Sequence, residues 1–211
     1  MSMHVYFVRH GETFLNTRHI HQSPSTPLSP KGQTQAHSVA EYLRAMNPDM
    51  LLSSRYARTE ETARIIGISV GLRPVQSGLF SEVERPTSLC GRSIFCLESF
   101  WFVFLSVWNR SDVTWRYKDG ESFPDIYTRV QRAFEYIESL AEDHTSVVIV
   151  SHTIFINFMV TYMCHGRMLT LRELLVSFFH VEQLKNCNVI ALNYLGKKKK
   201  NTNTCNWVKI T

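Results

Sequence analysis

The sequence predicts an α/β fold: a three-layer α/β/α sandwich around a mostly parallel central sheet, with a small inserted cap over residues 81–120. Three observations carry that expectation. Short apolar runs alternate with stretches of helical periodicity, three of those runs end abruptly in polar, chemically capable residues, and one aromatic, irregular segment interrupts the alternation. At 211 residues, 44% hydrophobic and 19% charged, the chain has the make-up of one globular domain with a sizeable core, not of a disordered or membrane protein.

Taken in order, the first apolar run, 5–8, is a buried strand that delivers Arg9 and His10 to its carboxyl end. Pro24, Pro27 and Pro30 mark a loop, and Ser29 caps a helix with Pro30 at its first position. Ala36, Val39, Ala40 and Leu43 recur along that helix, and Asn47-Pro48 closes it. A second strand spans 50–53, a helix 57–66 ends between Gly67 and Gly71, and a third strand spans 73–76. Within the irregular stretch, residues 94–108 form a buried or lid helix, too short and too interrupted by Glu98 to span a bilayer, though its aromatic content leaves a membrane-surface role open. Helical periodicity returns over 122–140 through Ile126, Val130, Phe134 and Ile137, with a cap at Ser122 or Asp125. The strand 147–150 ends in Ser151-His152 and precedes a helical run over 154–163. Segments 187–194 and 205–210 read as an antiparallel hairpin around Lys197–Lys200, a solvated turn or, less simply, an anion site.

The net charge of +5 favours anionic ligands without the clustering that nucleic-acid binding requires. Five cysteines show neither CxxC nor zinc spacing, and the opening residues lack a signal-peptide pattern, so the expectation is a cytoplasmic protein with free thiols. His19, His21, His37, His144, His165 and His180 lack ligand spacing and read as surface or core residues; no metal and no cofactor is expected.

In a parallel sheet the ends of these strands share one edge, which brings Arg9-His10, the 54–58 turn with Arg58, and Ser151-His152 together. Two arginines and two histidines suit a phosphoryl group, because the planar guanidinium offers paired donors to its oxygens. The adjacent Arg9 charge disfavours protonation of His10, which makes it a neutral nucleophile.

The segments VYFVRHGETFLN, SSRYARTEETARII and VVIVSHT, in this order, resemble the histidine phosphatase superfamily, and PLSPKGQTQA, LFSEVERP, DGESFPD and LKNCNVIALNY extend the resemblance over nearly the whole chain. The resemblance implies that His10 is the nucleophile of a phosphohistidine intermediate, that Arg9, Asn16, Arg58 and His152 hold the phosphoryl oxygens, and that Glu82 is the general acid and base. That role requires Glu82 to carry a proton as the ester arrives, which partial burial or the incoming negative charge favours; Glu84 is the competing acid. Thr13, Glu121 and Ser151 are possible supports: Glu121 either orients an arginine or complements a helix dipole, and Ser151 shapes the turn before His152. Thr153 stands where the family commonly has glycine, and Ser25 where it is frequently acidic.

The implied function is a phosphomonoester hydrolase acting on a phosphorylated small molecule. A 2,3-bisphosphoglycerate-dependent phosphoglycerate mutase is the alternative and needs a further basic pocket, for which Arg85, Arg92, Arg116 and Lys118 are candidates. A non-catalytic phospholigand-binding module is the third reading. Phe95, Phe100, Trp101, Phe102 and Trp108 either line a cap for hydrophobic alcohols or pack as core.

Overall fold

Alternation along the first strand, β1 (Met3–Arg9), sets the layers. Met3, Val5 and Phe7 pack on one face of the sheet and Tyr6 and Val8 on the other, and all five are buried. A strand buried on both faces needs cover on both sides. A computed structural model describes residues 2–166, 184–195 and 207–210. The other strands are β2 (Met50–Ser53), β3 (Val75–Gln76), β4 (Ser146–Ser151), β5 (Val189–Tyr194) and β6 (Trp207–Ile210). They form one sheet in the order β3-β2-β4-β1-β5-β6. Its first four members are parallel, and β5 and β6 are antiparallel to their neighbours.

Between the strands lie α1 (Phe14–Thr17), α2 (Pro30–Arg44), α3 (Ala57–Val70), α4 (Leu97–Trp108), α5 (Phe123–Leu140) and α6 (Thr153–His165). On the face of Val5 and Phe7, α5 contributes Val130, Ala133 and Ile137, and α6 contributes Phe155 and Met159. On the opposite face α2 presents Val39, Ala40 and Leu43, and α3 presents Ala63 and Ile66. The three-layer arrangement is the expected one.

Local chemistry fixes where these helices begin and end. Ser29 Oγ accepts the Gly32 N–H at 3.1 Å ahead of Pro30, and Ser122 and Asp125 cap α5 reciprocally. Where the sequence reading ended α3 at residue 66, the helix continues through Gly67 to Val70 and stops at Gly71, whose φ of 76° is the left-handed cap. Gly67 has a different use: a Cβ there would stand 2.4 Å from the Leu72 carbonyl oxygen, so glycine lets the chain double back. β3 is shorter than expected, beginning after Pro74, which has no N–H to give the ladder.

The aromatic helix departs most from expectation. In α4 the buried residues are Ser99, Phe102 and Ser106, whereas Phe100, Trp101, Phe104 and Trp108 are exposed, so it is not a buried helix. Its outward rings pack on one another instead: Phe100 stacks on Phe104 at 6.2 Å between centroids and Phe104 on Trp108 at 6.0 Å, a ladder at four-residue spacing.

Antiparallel pairing of Ala191 with Ile210 and of Tyr194 with Trp207 agrees with the hairpin read from the sequence, while Lys197–Lys200, His180 and Cys205 lie outside the described residues. Cys90, Cys96, Cys164 and Cys187 are free thiols. Among the described residues no helix is long and apolar enough to cross a membrane, and no three His, Cys, Asp or Glu side chains are grouped to hold a metal ion.

Strand register prepares the site. Arg9 pairs with Ser151 and Val150 with Ser53, so the next residues, His10, His152 and Ser54, leave the sheet side by side at its carboxyl edge.

Candidate active site

At that edge opens a cleft of about 910 Å³, lined by Arg9, His10, Asn16, Arg58, Glu82 and Thr153 among others. The loop leaving β1 is pressed against the start of α2. A Cβ on Gly11 would lie 2.5 Å from the Gly32 carbonyl oxygen, and one on Gly32 would lie 2.1 Å from that of Glu12. Only two glycines permit this approach. The contact is closed by Ser29 N–H donating to the Glu12 carbonyl at 2.8 Å and by Gly11 N–H donating to Thr62 Oγ1 of α3 at 3.1 Å.

His10 is buried, and its Nδ1 lies 2.7 Å from the Gly11 carbonyl oxygen. A carbonyl only accepts, so Nδ1 carries the proton and Nε2 keeps its lone pair. Burial first, and then the charges of Arg58 and Arg9, hold the imidazole well below its ordinary pKa and therefore neutral.

His152, also buried, takes the opposite tautomer. Arg58 approaches its Nδ1 at 3.3 Å, and because a guanidinium only donates, Nδ1 is the acceptor and Nε2–H donates to Ser54 Oγ at 2.7 Å. Ser54 passes its own proton to Thr59 Oγ1 at 2.7 Å, and Thr59 donates to the Tyr56 carbonyl at 2.7 Å. Burial and Arg58 keep this ring neutral as well. The rings of His10 and His152 lie 5.3 Å apart, and the Tyr56 ring packs at 4.9 Å from His152.

Both guanidiniums are buried close to the imidazoles. Arg58 donates to the Ser23 carbonyl at 3.0 Å and stacks over Tyr56 at 4.9 Å; burial lowers its pKa to about 10, which leaves it charged at neutral pH. Arg9 donates to the Leu184 carbonyl, and its pKa is lowered by burial. Among the described residues the Nε–H groups of Arg9 and Arg58 are buried without a protein partner, a costly state that an anion's oxygens relieve.

Glu82 belongs to the irregular chain but is tied to α6. Its carboxylate accepts the N–H groups of Ile154 at 3.4 Å and Phe155 at 3.1 Å, which aims it at the helix start beside His152. Three further side chains hold the backbone that carries it. Ser151 Oγ donates to the Phe80 carbonyl at 2.6 Å, and Arg129 donates to the Ser81 carbonyl at 2.7 Å. Glu121 grips Arg129 through both oxygens, at 2.8 and 2.7 Å. Glu84 lines the same cleft but is exposed and has no such tie to α6.

Thr13 caps α1 and, with its backbone N–H, fixes Asn16 Oδ1 at 2.5 Å. The Asn16 amide then donates to Asn186 Oδ1 at 3.1 Å, and Asn186 donates to the His10 carbonyl at 3.0 Å. Asn186, Ser54 and Arg129 are thus parts of the site that sequence reasoning did not assign, and His21, expected on the surface or in the core, lines the cleft. Ser54 had one visible signal, its place at the end of a strand.

A neutral imidazole whose Nε2 has no partner among the described residues, set among two buried guanidiniums at the carboxyl edge of a parallel sheet, is an α/β site suited to an anion. Comparison with known proteins makes the class specific. The sequence profile of the histidine phosphatase superfamily, branch 1, matches residues 5–205, and the chain belongs to that family. It is 30% identical over 205 residues, 91% of this chain and 85% of the relative, to a protein of Enterobacter sp. (strain 638) described as probable phosphoglycerate mutase GpmB. A protein of the same description from Escherichia coli O1:K1 / APEC is 29% identical over 196 residues, 91% of this chain and 85% of the relative. The fold is shared with a mycobacterial glucosyl-3-phosphoglycerate phosphatase, TM-score 0.73 at 21% identity over 99% of this chain and 97% of that one. It is also shared with a phosphoserine phosphatase from Entamoeba histolytica, TM-score 0.73 at 19% identity over 99% and 95%.

Proposed function

We propose that the protein is a phosphomonoester hydrolase that works through a phosphohistidine on His10. The observation that carries this reading is the Nδ1–H to Gly11 hydrogen bond, which leaves a neutral ring with its Nε2 lone pair uncommitted. Nε2 attacks phosphorus as the bond to the ester oxygen breaks, and Glu82 gives that oxygen its proton. Arg9 and Arg58 face the equatorial oxygens, with Asn16 as a further donor from the loop, and His152 joins them as a donor once the incoming anion favours a proton on its Nδ1. Water then attacks the phosphohistidine. Glu82, now a carboxylate, takes the water's proton, and the P–N electron pair returns to Nε2. The segment 81–120 serves as the cap of this single domain.

The mutase reading rests on the printed description of the relatives. Against it, three of the four cations available for a second phosphate pocket are already engaged in ion pairs: Arg92 and Lys118 share Glu98, and Arg116 meets Asp125. The test supplies purified protein with a panel of phosphoesters, and separately with 3-phosphoglycerate plus 2,3-bisphosphoglycerate. Phosphate release outruns isomerisation in a hydrolase, and the reverse order establishes the mutase. His10→Ala lowers turnover at least about a thousandfold and abolishes the phosphohistidine trapped by rapid quench. Glu82→Gln slows esters of poor leaving groups about a hundredfold or more and aryl phosphates far less; equal slowing of both moves the acid to Glu84.

A further inference from the structure

The outer face of α4 takes no part in the phosphoryl clamp. Phe95, Leu97, Phe100, Trp101, Phe104 and Trp108 form a strip along it, with exposures from 44% for Trp101 and Phe104 to 78% for Phe95. Twelve residues of helix make the strip about 18 Å long. With about 150–250 Å² in each aromatic side chain, it presents roughly 700 Å² of apolar surface to solvent, more than the largest patch on an ordinary monomer.

These rings are already packed. Phe100 and Phe104 lie within 10° of parallel, Trp101 meets them edge-on at 72° and 82°, and Trp108 continues the row at 6.0 Å from Phe104. Rings held by one another lose little freedom when a second surface covers them. The inner face is fixed, since Ser99 bonds to His21 and Phe102 is buried. Turning the helix over to hide the strip would give up both contacts.

Charge decides which surface fits. Within α4 the one charged residue is Glu98, whose side chain is 15% exposed and is held by Arg92 at 2.6 Å, by Lys118 and by Ser88 Oγ. Past the helix end, Arg110 and Asp112 are opposite in sign, and segment 81–120 as a whole holds five Arg and Lys against five Asp and Glu. An anionic bilayer selects helices whose polar face is rich in Lys and Arg, whereas the polar face of α4 carries Ser99 and Ser106 and is turned inward. A second copy of the chain makes the opposite demand. A two-fold contact sets each charge near its own duplicate, so a face without net charge pairs with itself at no electrostatic cost. Covering the strip buries no unpaired charge, and its area approaches the roughly 800 Å² per partner of a standard specific interface.

We propose that α4 is a self-association surface, on which a second copy of this chain docks its own α4 about a two-fold axis. An axis at the helix midpoint reverses the helix against itself, bringing Trp101 of one protomer opposite Phe104 of the partner subunit and Leu97 opposite Trp108. The surface lies at the edge of the cleft, since Ile94 lines the cleft one residue before Phe95. The cap helix is then held from both sides. Self-association of this kind does not depend on the protein being a hydrolase.

Sedimentation velocity over about 0.5–100 µM reads the oligomer directly, a range chosen because interfaces of this area are micromolar or tighter. The expected result is a dimer that dissociates on dilution, with tryptophan emission moving to shorter wavelength as it forms, because two of the four tryptophans become covered. Trp101→Lys and Phe104→Asp each raise the dissociation constant at least about thirtyfold, and Trp108→Ser, a milder change, about tenfold. Far-UV circular dichroism checks that each variant retains the fold. Mixing Trp101→Lys with Phe104→Asp restores a dimer, because the two-fold sets the introduced ammonium opposite the introduced carboxylate and leaves the second contact of Trp101 with Phe104 unaltered. A chain that stays monomeric throughout overturns the proposal, and shorter-wavelength emission with vesicles of phosphatidylcholine and phosphatidylserine in that case assigns the strip to lipid. A dimer indifferent to all three variants, or one that mixing fails to restore, overturns it equally.

Discussion

The two site histidines differ by a single proton placement, and the residues that decide it are neighbours no short motif contains. His10 is held by its own chain through the Gly11 carbonyl, whereas His152 depends on Ser54, ninety-eight positions away. Ser54→Ala leaves Nε2–H of His152 buried without an acceptor, a loss of about 1–3 kcal/mol. The expected outcome is a five- to hundredfold fall in kcat/KM with the fold retained, read by steady-state kinetics beside a melting curve. A variant with undiminished activity would show that Ser54 does not set the tautomer. Arg9, His10, Glu82 and His152 were legible because each sits beside a strand end or within a recognisable segment. Asn186 and Arg129 were not, since their meaning lies in contacts with His10 and with the chain carrying Glu82, more than 40 positions distant.

Among the elements, the strands and α2, α5 and α6 follow from periodicity, capping and proline placement, and α4 does not. An apolar run of twelve residues with Ser99 and Ser106 inside and aromatic rings outside inverts the usual amphipathic sense, so hydrophobicity alone misjudges which face is buried. The inversion has a local cause: Ser99 is recruited inward by His21, and the aromatic residues at four-residue spacing satisfy one another across the outer surface. Phe102 is the helix's inward anchor, 6% exposed, while Phe104 is 44% exposed. Phe102→Ala is therefore expected to cost about 3–5 kcal/mol and Phe104→Ala about 1 kcal/mol or less, measured by urea unfolding. Equal costs would mean that the outer ring ladder, and not Phe102, fastens the helix.

At the scale of the whole molecule, strand order was beyond the sequence, because placing β4 between β2 and β1 depends on which buried faces complement one another across 150 residues. The consequence of that order is to gather Arg9, Arg58, His10 and His152 at one buried point, and the arrangement has a signature in global stability. His10 and His152 are held neutral well below the ordinary histidine pKa, and His21 at about 4, all chiefly by burial. In the unfolded chain these rings titrate near about 6.5. Below that pH the unfolded state binds more protons than the native one, so native stability falls with falling pH until the folded-state pKa values are reached. Asp49 and Asp125, whose pKa values are lowered by hydrogen bonds against the opposing effect of burial, lose their contribution only at lower pH, which separates the two effects. Melting temperature is thus expected to drop between about pH 7 and about pH 5, more steeply than in His152→Asn. Inorganic phosphate binds the native state alone and, as an anion beside His152, restores the ring's affinity for a proton; it should raise the melting temperature and flatten the acid slope. A melting temperature constant across that range, or a slope that phosphate leaves untouched, would be incompatible with two buried neutral imidazoles awaiting an anion.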